Sequence, residues 1–211
     1  ILASNSPRRK QLLNLTGWSF EVVPAEVDES QAPGELPRQY VIRMACDKAL
    51  AVRSRGLRAN LIVAADTSVV EQEQLLGKPA SPEEATEMLQ RLRGHTHQVY
   101  TGLAVLSGKD GQMRTDCCVT RVRMRNYSSE EIARYVASGD PFDKAGAYAI
   151  QHRGFNPVES LEGCYANVVG LPVCHLARLL LQAGERPAAN SPAACQDIQS
   201  YQCTLRPLIC G

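Results

Sequence analysis

No apolar run in the sequence approaches the roughly 20 residues that cross a bilayer, and the opening residues carry no signal-peptide pattern. A membrane partner is not expected, and a cytoplasmic location is the default. An excess of charge is missing as well. With 23 basic and 22 acidic side chains the formal net charge is +1, so no global field announces a DNA, RNA or lipid surface. Any anion site must be local. There is no C-x-x-C pair, which leaves a zinc knuckle without support, and 8 cysteines in 211 residues are too sparse for a disulfide scaffold. Cys46, Cys117, Cys118, Cys164 and Cys174 lie in apolar segments and read as small core hydrophobes. Also absent are G-x-x-x-x-G-K-[ST], G-x-G-x-x-G and H-E-x-x-H.

What is present is a 44% hydrophobic chain, long enough for one large domain or two small lobes. Ile1 to Ala3 read as the end of a strand, and Ser6-Pro7 as an N-cap and first helical position for a helix running towards Gly17. WSFEVVPA alternates like a second strand, and DESQAPGELP reads as a loop. A long helix is expected from about Gln39 to Arg55, then a strand at LIVAADTSVV. Ser81, Pro82 and Glu84 start another helix, and HQVYTGLAVLSGKDGQMRTDCCVTRVRM reads as a hairpin turning near Lys109-Asp110-Gly111. Ser128 and Glu131 form a capping box, KAGAYAIQ returns to strand character, and LPVCHLARLLLQAG is a closing helix. Such alternation predicts an α/β (α+β) domain around a mixed sheet, ending near residue 184. Residues 185–211 form an extension carrying Cys195, Cys203 and Cys210, with Tyr201, Leu205, Leu208 and Ile209 available to pack back.

Several polar residues sit where simple patterning does not explain them. Arg8 and Arg9 fall in a first helical turn, where the helix dipole favours anions. Either both face solvent or an anion binds there with the backbone N–H groups. Asp66 interrupts an apolar strand, either as a local turn former or as a carboxylate at a strand end that holds Mg²⁺ or orients water. Lys78, between Gly77 and Pro79, is either part of a surface turn or a phosphate contact; Lys48, within MACDKALAV, either snorkels or serves the same anion. Asp143 and Lys144 can pair with each other at a turn, while Gln151 can meet a base edge. Asp28-Glu29 offers a second carboxylate or a solvated face. His95 and His97 lack a third metal ligand in sequence and read as local hydrogen-bonding residues.

Taken in order, ASNSPRR, DKA, AADTSV, GKP, DKAGAYAIQ and NVVGLP resemble the Maf family of nucleoside triphosphate pyrophosphatases, over nearly all of residues 1–184. The resemblance implies an ITPase-like fold: an elongated mixed sheet flanked by helices, with two lobes around a deep cleft, as a homodimer. It implies cleavage between the α and β phosphates with Mg²⁺ or another divalent metal such as Mn²⁺. It places Arg8, Lys48, Lys78 and Asp66 in catalysis, and Asp66 with Asp28 or Glu29 at the metal. Asn5, Ser6, Arg9, Thr67, Asp143, Lys144 and Gln151 become substrate contacts, with Arg8 the direct phosphate ligand and solvent the competing place for Arg9. DKAGAYAIQ looks like the branch acting on dTTP and UTP. The alternatives are a house-cleaning purine triphosphate pyrophosphatase and a nucleotide-sensing regulator of septum formation.

Overall fold

A computed structural model describes residues 1–199 of the chain; Tyr201, Cys203, Leu205, Leu208, Ile209 and Cys210 lie outside the described residues. The helices are α1 (Pro7–Asn14), α2 (Pro37–Arg53), α3 (Pro82–Leu92), α4 (Ser129–Ala137), α5 (Tyr165–Val169), α6 (Val173–Gln182) and α7 (Ser191–Gln199). The strands are β1 (Leu61–Glu71), β2 (Gln74–Leu76), β3 (Thr96–Ser107), β4 (Met113–Met124) and β5 (Val158–Glu162). Among these residues no helix is long and apolar enough to cross a membrane.

The helix starts follow the capping chemistry. Ser6 Oγ accepts from Arg9 N ahead of Pro7, and Ser128 and Glu131 exchange both bonds of a capping box. At α3, Ser81 Oγ accepts from Glu84 N, but the Glu84 carboxylate reaches one residue further back, to Ala80 N at 2.7 Å.

The strands form one sheet in the order β2-β1-β3-β4-β5 with antiparallel neighbours throughout. Its parallel component is confined to Leu2, which bridges Val22 on one side and Val63 on the other. Two expected strands are therefore corrected. WSFEVVPA contributes a single bridge, because Ser4 onward turns away into α1 and leaves it only one short neighbour. KAGAYAIQ is not extended: 3₁₀ turns occupy Asp140–Asp143 and Ala145–Ala147, with Gly146 at φ 69° and Ala147 at φ 61°. Gly146 is required there, since a Cβ would lie 2.9 Å from the Val69 side chain.

Strand alternation sorts β1 onto two faces. Ile62 and Ala64 pack with Ala45, Ala49 and Val52 of α2, whereas Val63 and Ala65 pack with Leu12, Leu13, Leu176 and Leu179 of α1 and α6. Further along the sheet a separate cluster of Val69, Leu89, Leu92, Val122, Tyr127, Ile132 and Tyr135 joins α3 and α4 to the other end. Asp66, Thr67 and Ser68 lie on the strand between the two packed ends, and there a cleft opens.

Between Glu185 and Cys195 the chain folds back on the domain. Ala189 N donates to Thr16 O at 3.1 Å, Glu185 pairs with Lys109, and Cys195 packs against the cluster under α1 and α6. Cys117, Cys118, Cys164 and Cys174 are buried, as small hydrophobes should be. His97 is also buried, its Nε2 bonded to Tyr148 Oη at 2.8 Å, while His95 bonds locally to Arg91 O.

Burial pushes the His97 imidazole down from 6.5 to about 4. The folded-state value lies below the unfolded one, so the stability it contributes is full above about pH 6.5 and is lost as pH falls towards 4. Urea titrations should show unfolding free energy falling by on the order of 3 kcal/mol across that window. His97→Asn should flatten the fall; an unchanged slope would assign it to other groups.

Candidate active site

The cleft has a volume of about 700 Å³ and is lined by five basic side chains (Arg8, Arg9, Lys48, Lys78 and Lys144) against three acidic ones (Glu29, Asp66 and Asp143). A chain of nearly balanced charge thus concentrates positive charge in one concave place, of the size that encloses a small-molecule ligand.

Its floor is set by two elements. Asp66 shares the face of β1 that carries Ile62 and Ala64, and therefore looks at α2. Lys48 lies on the buried stripe of α2 with Val41, Met44, Ala45, Ala49 and Val52, and so looks back at the sheet. Lys48 Nζ lies 2.6 Å from Asp66 Oδ1 and 2.8 Å from Glu29 Oε1. Lys48 and Asp66 are almost wholly buried while the Glu29 side chain is 50% exposed, so the array runs from the interior to the cleft wall. Burial opposes ionisation of Glu29, but the hydrogen bond and charge of Lys48, helped by Lys78 and Arg9, outweigh it and hold the carboxyl below its ordinary range.

Thr67, one residue on, faces the other way and meets α1. Arg9 donates to Thr67 Oγ1 (3.1 Å), Ser4 Oγ (3.3 Å) and Gly170 O (2.9 Å), and Thr67 Oγ1 lies 2.9 Å from Thr101 Oγ1. Solvent is therefore not the place of Arg9. Its guanidinium is a brace between β1, the start of α1 and the turn after α5, and still lines the cleft. Arg8 has only a 3.7 Å ion pair with Asp143 and is the more available cation.

Lys144 is buried and bound by Asp143 at 2.5 Å and Asp140 at 3.1 Å, so the expected Asp143–Lys144 pair forms and is tied to Arg8 as well. Gly77 O accepts from Gly146 N at 3.0 Å, which fixes the Gly-Lys-Pro turn against the 3₁₀ segment and leaves Lys78 exposed at the rim. Asn5, Ser6 and Gln151 also line the cleft.

Asp28 is the residue not brought in. It is exposed, and Oδ1 accepts from Ser30 N at 2.9 Å in a local Asx turn, whereas its neighbour Glu29 reaches the site. Sequence reasoning missed Tyr40 as a cleft residue: it reads as part of an apolar helix face, yet its hydroxyl donates to Glu29 O at 2.8 Å. Burial, with Asp66 and Glu29 nearby, pushes Tyr40 up to about 12, so it stays a donor at neutral pH. Tyr148, at the inner wall, was likewise hidden in a segment that alternates like a strand.

The model of the family described as "Maf-like protein" matches residues 1–183. The chain belongs to the Maf family. Among curated relatives, a protein of Dehalococcoides mccartyi strain ATCC BAA-2266 is 46% identical over 89% of this chain and 83% of its own length. One of Pelotomaculum thermopropionicum is 46% identical over 87% and 96%, and one of Anaeromyxobacter sp. strain Fw109-5 is 47% identical over 91% and 93%. Each is named dTTP/UTP pyrophosphatase. Within the cleft, Arg9 and Lys144 are committed to the protein, while Arg8 keeps only its long pair with Asp143 and Lys78 is exposed at the rim.

Proposed function

We propose that this chain hydrolyses dTTP and UTP to the monophosphate and pyrophosphate. The observation that carries the proposal is the Glu29–Lys48–Asp66 array on the floor of a cation-lined cleft. The names of the relatives supply the nucleotides.

Two carboxylates converge on one nitrogen, a donor set of hard oxygens suited to Mg²⁺, which commonly takes one or two protein carboxylates and completes its shell with phosphates and water. Asp66 and Glu29 would hold it. When bound, the ion would neutralise phosphate charge and lower the pKa of a coordinated water.

The remaining work falls to the chain. Arg8 and Lys78, at the opening, receive the triphosphate and oppose the charge that builds on departing pyrophosphate. Lys48, freed from part of its carboxylate pairing, offers a third cation from below. Asp66 accepts a hydrogen bond from an attacking water and aligns it with the α phosphorus. Arg9 keeps β1 and α1 in register so that Asp66 and Arg8 stay on the same cleft. A homodimer acting in the cytoplasm belongs to the same proposal.

The test is a nucleotide panel with and without Mg²⁺, detecting monophosphate and pyrophosphate as separate products. Conversion of dTTP and UTP ahead of purine triphosphates is the expected result. Mg²⁺-dependent binding without conversion would replace the enzyme by a nucleotide sensor. In the same assay Arg8→Ala should lower kcat/KM about tenfold, equivalent to roughly 1.4 kcal/mol, with both kcat and KM affected. Kinetics near those of the wild type would remove Arg8 from phosphate binding.

A further inference from the structure

The carboxylate at the cleft wall has an unusual support. Ala25 still packs against the core, but from Glu26 to Leu36 no residue is buried and there is no helix or strand, so apolar packing does not fix Glu29. Polar contacts to α2 do. Tyr40 Oη donates to the backbone carbonyl of Glu29 at 2.8 Å. Arg43 donates to Ser30 O at 2.9 Å and forms a two-pronged pair with Glu35, at 2.6 and 2.7 Å. Glu35 closes the loop on itself, accepting from Ala32 N through its carboxylate and from Gln31 Nε2 through its carbonyl. The Arg43 guanidinium also lies 5.5 Å from the centre of the Tyr40 ring.

We infer that Tyr40 and Arg43 are positioning residues that hold the Glu29 carboxylate at the reaction centre, a role that rests on the pyrophosphatase function proposed above. One helix grips the same residue twice. Tyr40 holds its backbone, and Lys48, two turns along α2, holds its carboxylate at 2.8 Å. The helix that supplies the floor cation therefore also sets where the wall carboxylate stands, and the distance between the two is built into α2. Exposed polar contacts of this kind add little to global stability. Their effect is local: a half-exposed glutamate on an unpacked loop would otherwise spend most of its time in solvent-facing rotamers.

A role through Glu29 has a signature that a general structural role lacks. If Arg43 and Tyr40 act by placing the carboxylate, their loss matters only while the carboxylate is present. The experiment measures kcat/KM for dTTP, the half-saturating Mg²⁺ concentration and Tm for Arg43→Gln and Tyr40→Phe, each made in the wild type and in Glu29→Gln.

In the wild-type background Arg43→Gln should lower kcat/KM about tenfold and raise the Mg²⁺ requirement several-fold, with Tm nearly unchanged, as for most surface substitutions. Tyr40→Phe should do the same to a smaller extent. Arg43→Lys should recover part of the loss, because an ammonium can reach one of the two partners but not fork across both. In the Glu29→Gln background neither substitution should change the remaining rate. Equal factors in both backgrounds, or losses that follow a drop in Tm, would overturn the inference. A wild type that converts neither dTTP nor UTP would defeat the proposed function and this role with it, whereas an active wild type with an additive cycle defeats the positioning role alone.

Discussion

Asp66→Asn should reduce dTTP turnover by about a thousandfold, the upper range for removing one preorganised polar group from a reaction centre, while the protein remains folded. Asparagine has nearly the same shape and keeps an oxygen that can accept from Lys48 Nζ, now 2.6 Å from Asp66 Oδ1. Glu29, on the other side of Lys48, still balances the ammonium. What is lost is the negative charge, and with it the better buried of the two candidate metal donors. Lys48→Met is the informative contrast. It would leave Asp66, only 8% exposed, without its counter-ion, so stability as well as rate should fall, by about 3 kcal/mol on the scale of broken buried pairs. Kinetics and urea unfolding on the two variants separate the effects. A Asp66→Asn protein retaining more than a tenth of the activity would exclude the carboxylate from the chemistry.

The second large effect is expected at Gly102, which pairs with Asp66 across β1 and β3. A Cβ there would lie 2.2 Å from Val41 O and 2.7 Å from Ile42 N, both backbone atoms of α2. No rotamer change relieves such a clash; the helix must move off the sheet. Overpacking usually costs 1–3 kcal/mol, and a clash with backbone should fall at the upper end, about 3 kcal/mol, or a Tm lower by roughly 6–12 °C in a chain of this size. Because α2 also carries Lys48, Tyr40 and Arg43, Gly102→Ala should lose activity beyond what its unfolded fraction explains. Gly77→Ala, at a position with open space and no positive φ, should leave Tm almost unchanged. Equal Tm values for Gly102→Ala and the wild type would show that α2 has room to retreat.

How much of this was readable beforehand depended on whether a residue's role was local. Lys48 and Asp66 stand out as charges inside apolar runs, a costly arrangement that already implies partners, and the two prove to be partners of each other. The capped helices and the long hairpin were equally plain, since caps and alternation are near-neighbour effects. The choice between Asp28 and Glu29 was not readable. Both are acidic and adjacent, and only the Asx turn at Ser30 and the bond from Tyr40 decide which one faces the cleft. The inward place of Arg9 depends on Thr67 and Gly170, 58 and 161 residues away. KAGAYAIQ misled for another reason: its apolar alternation is genuine, but positive φ at Gly146 and Ala147 curls it into turns that close the cleft.

Leu2 carries one more consequence, for the order in which the molecule assembles. It pairs with Val22 and with Val63, so the link that joins the residues before α1 to the central sheet spans about 60 positions. Contacts of that separation must first overcome the entropy of closing the intervening loop, and they form late unless local structure shortens the search. The hairpin of β3 and β4 can form early by comparison, being closed by a short turn. The arginine-bearing turn should therefore dock after the central sheet exists, and a folding intermediate would own a sheet before it owned an anion site.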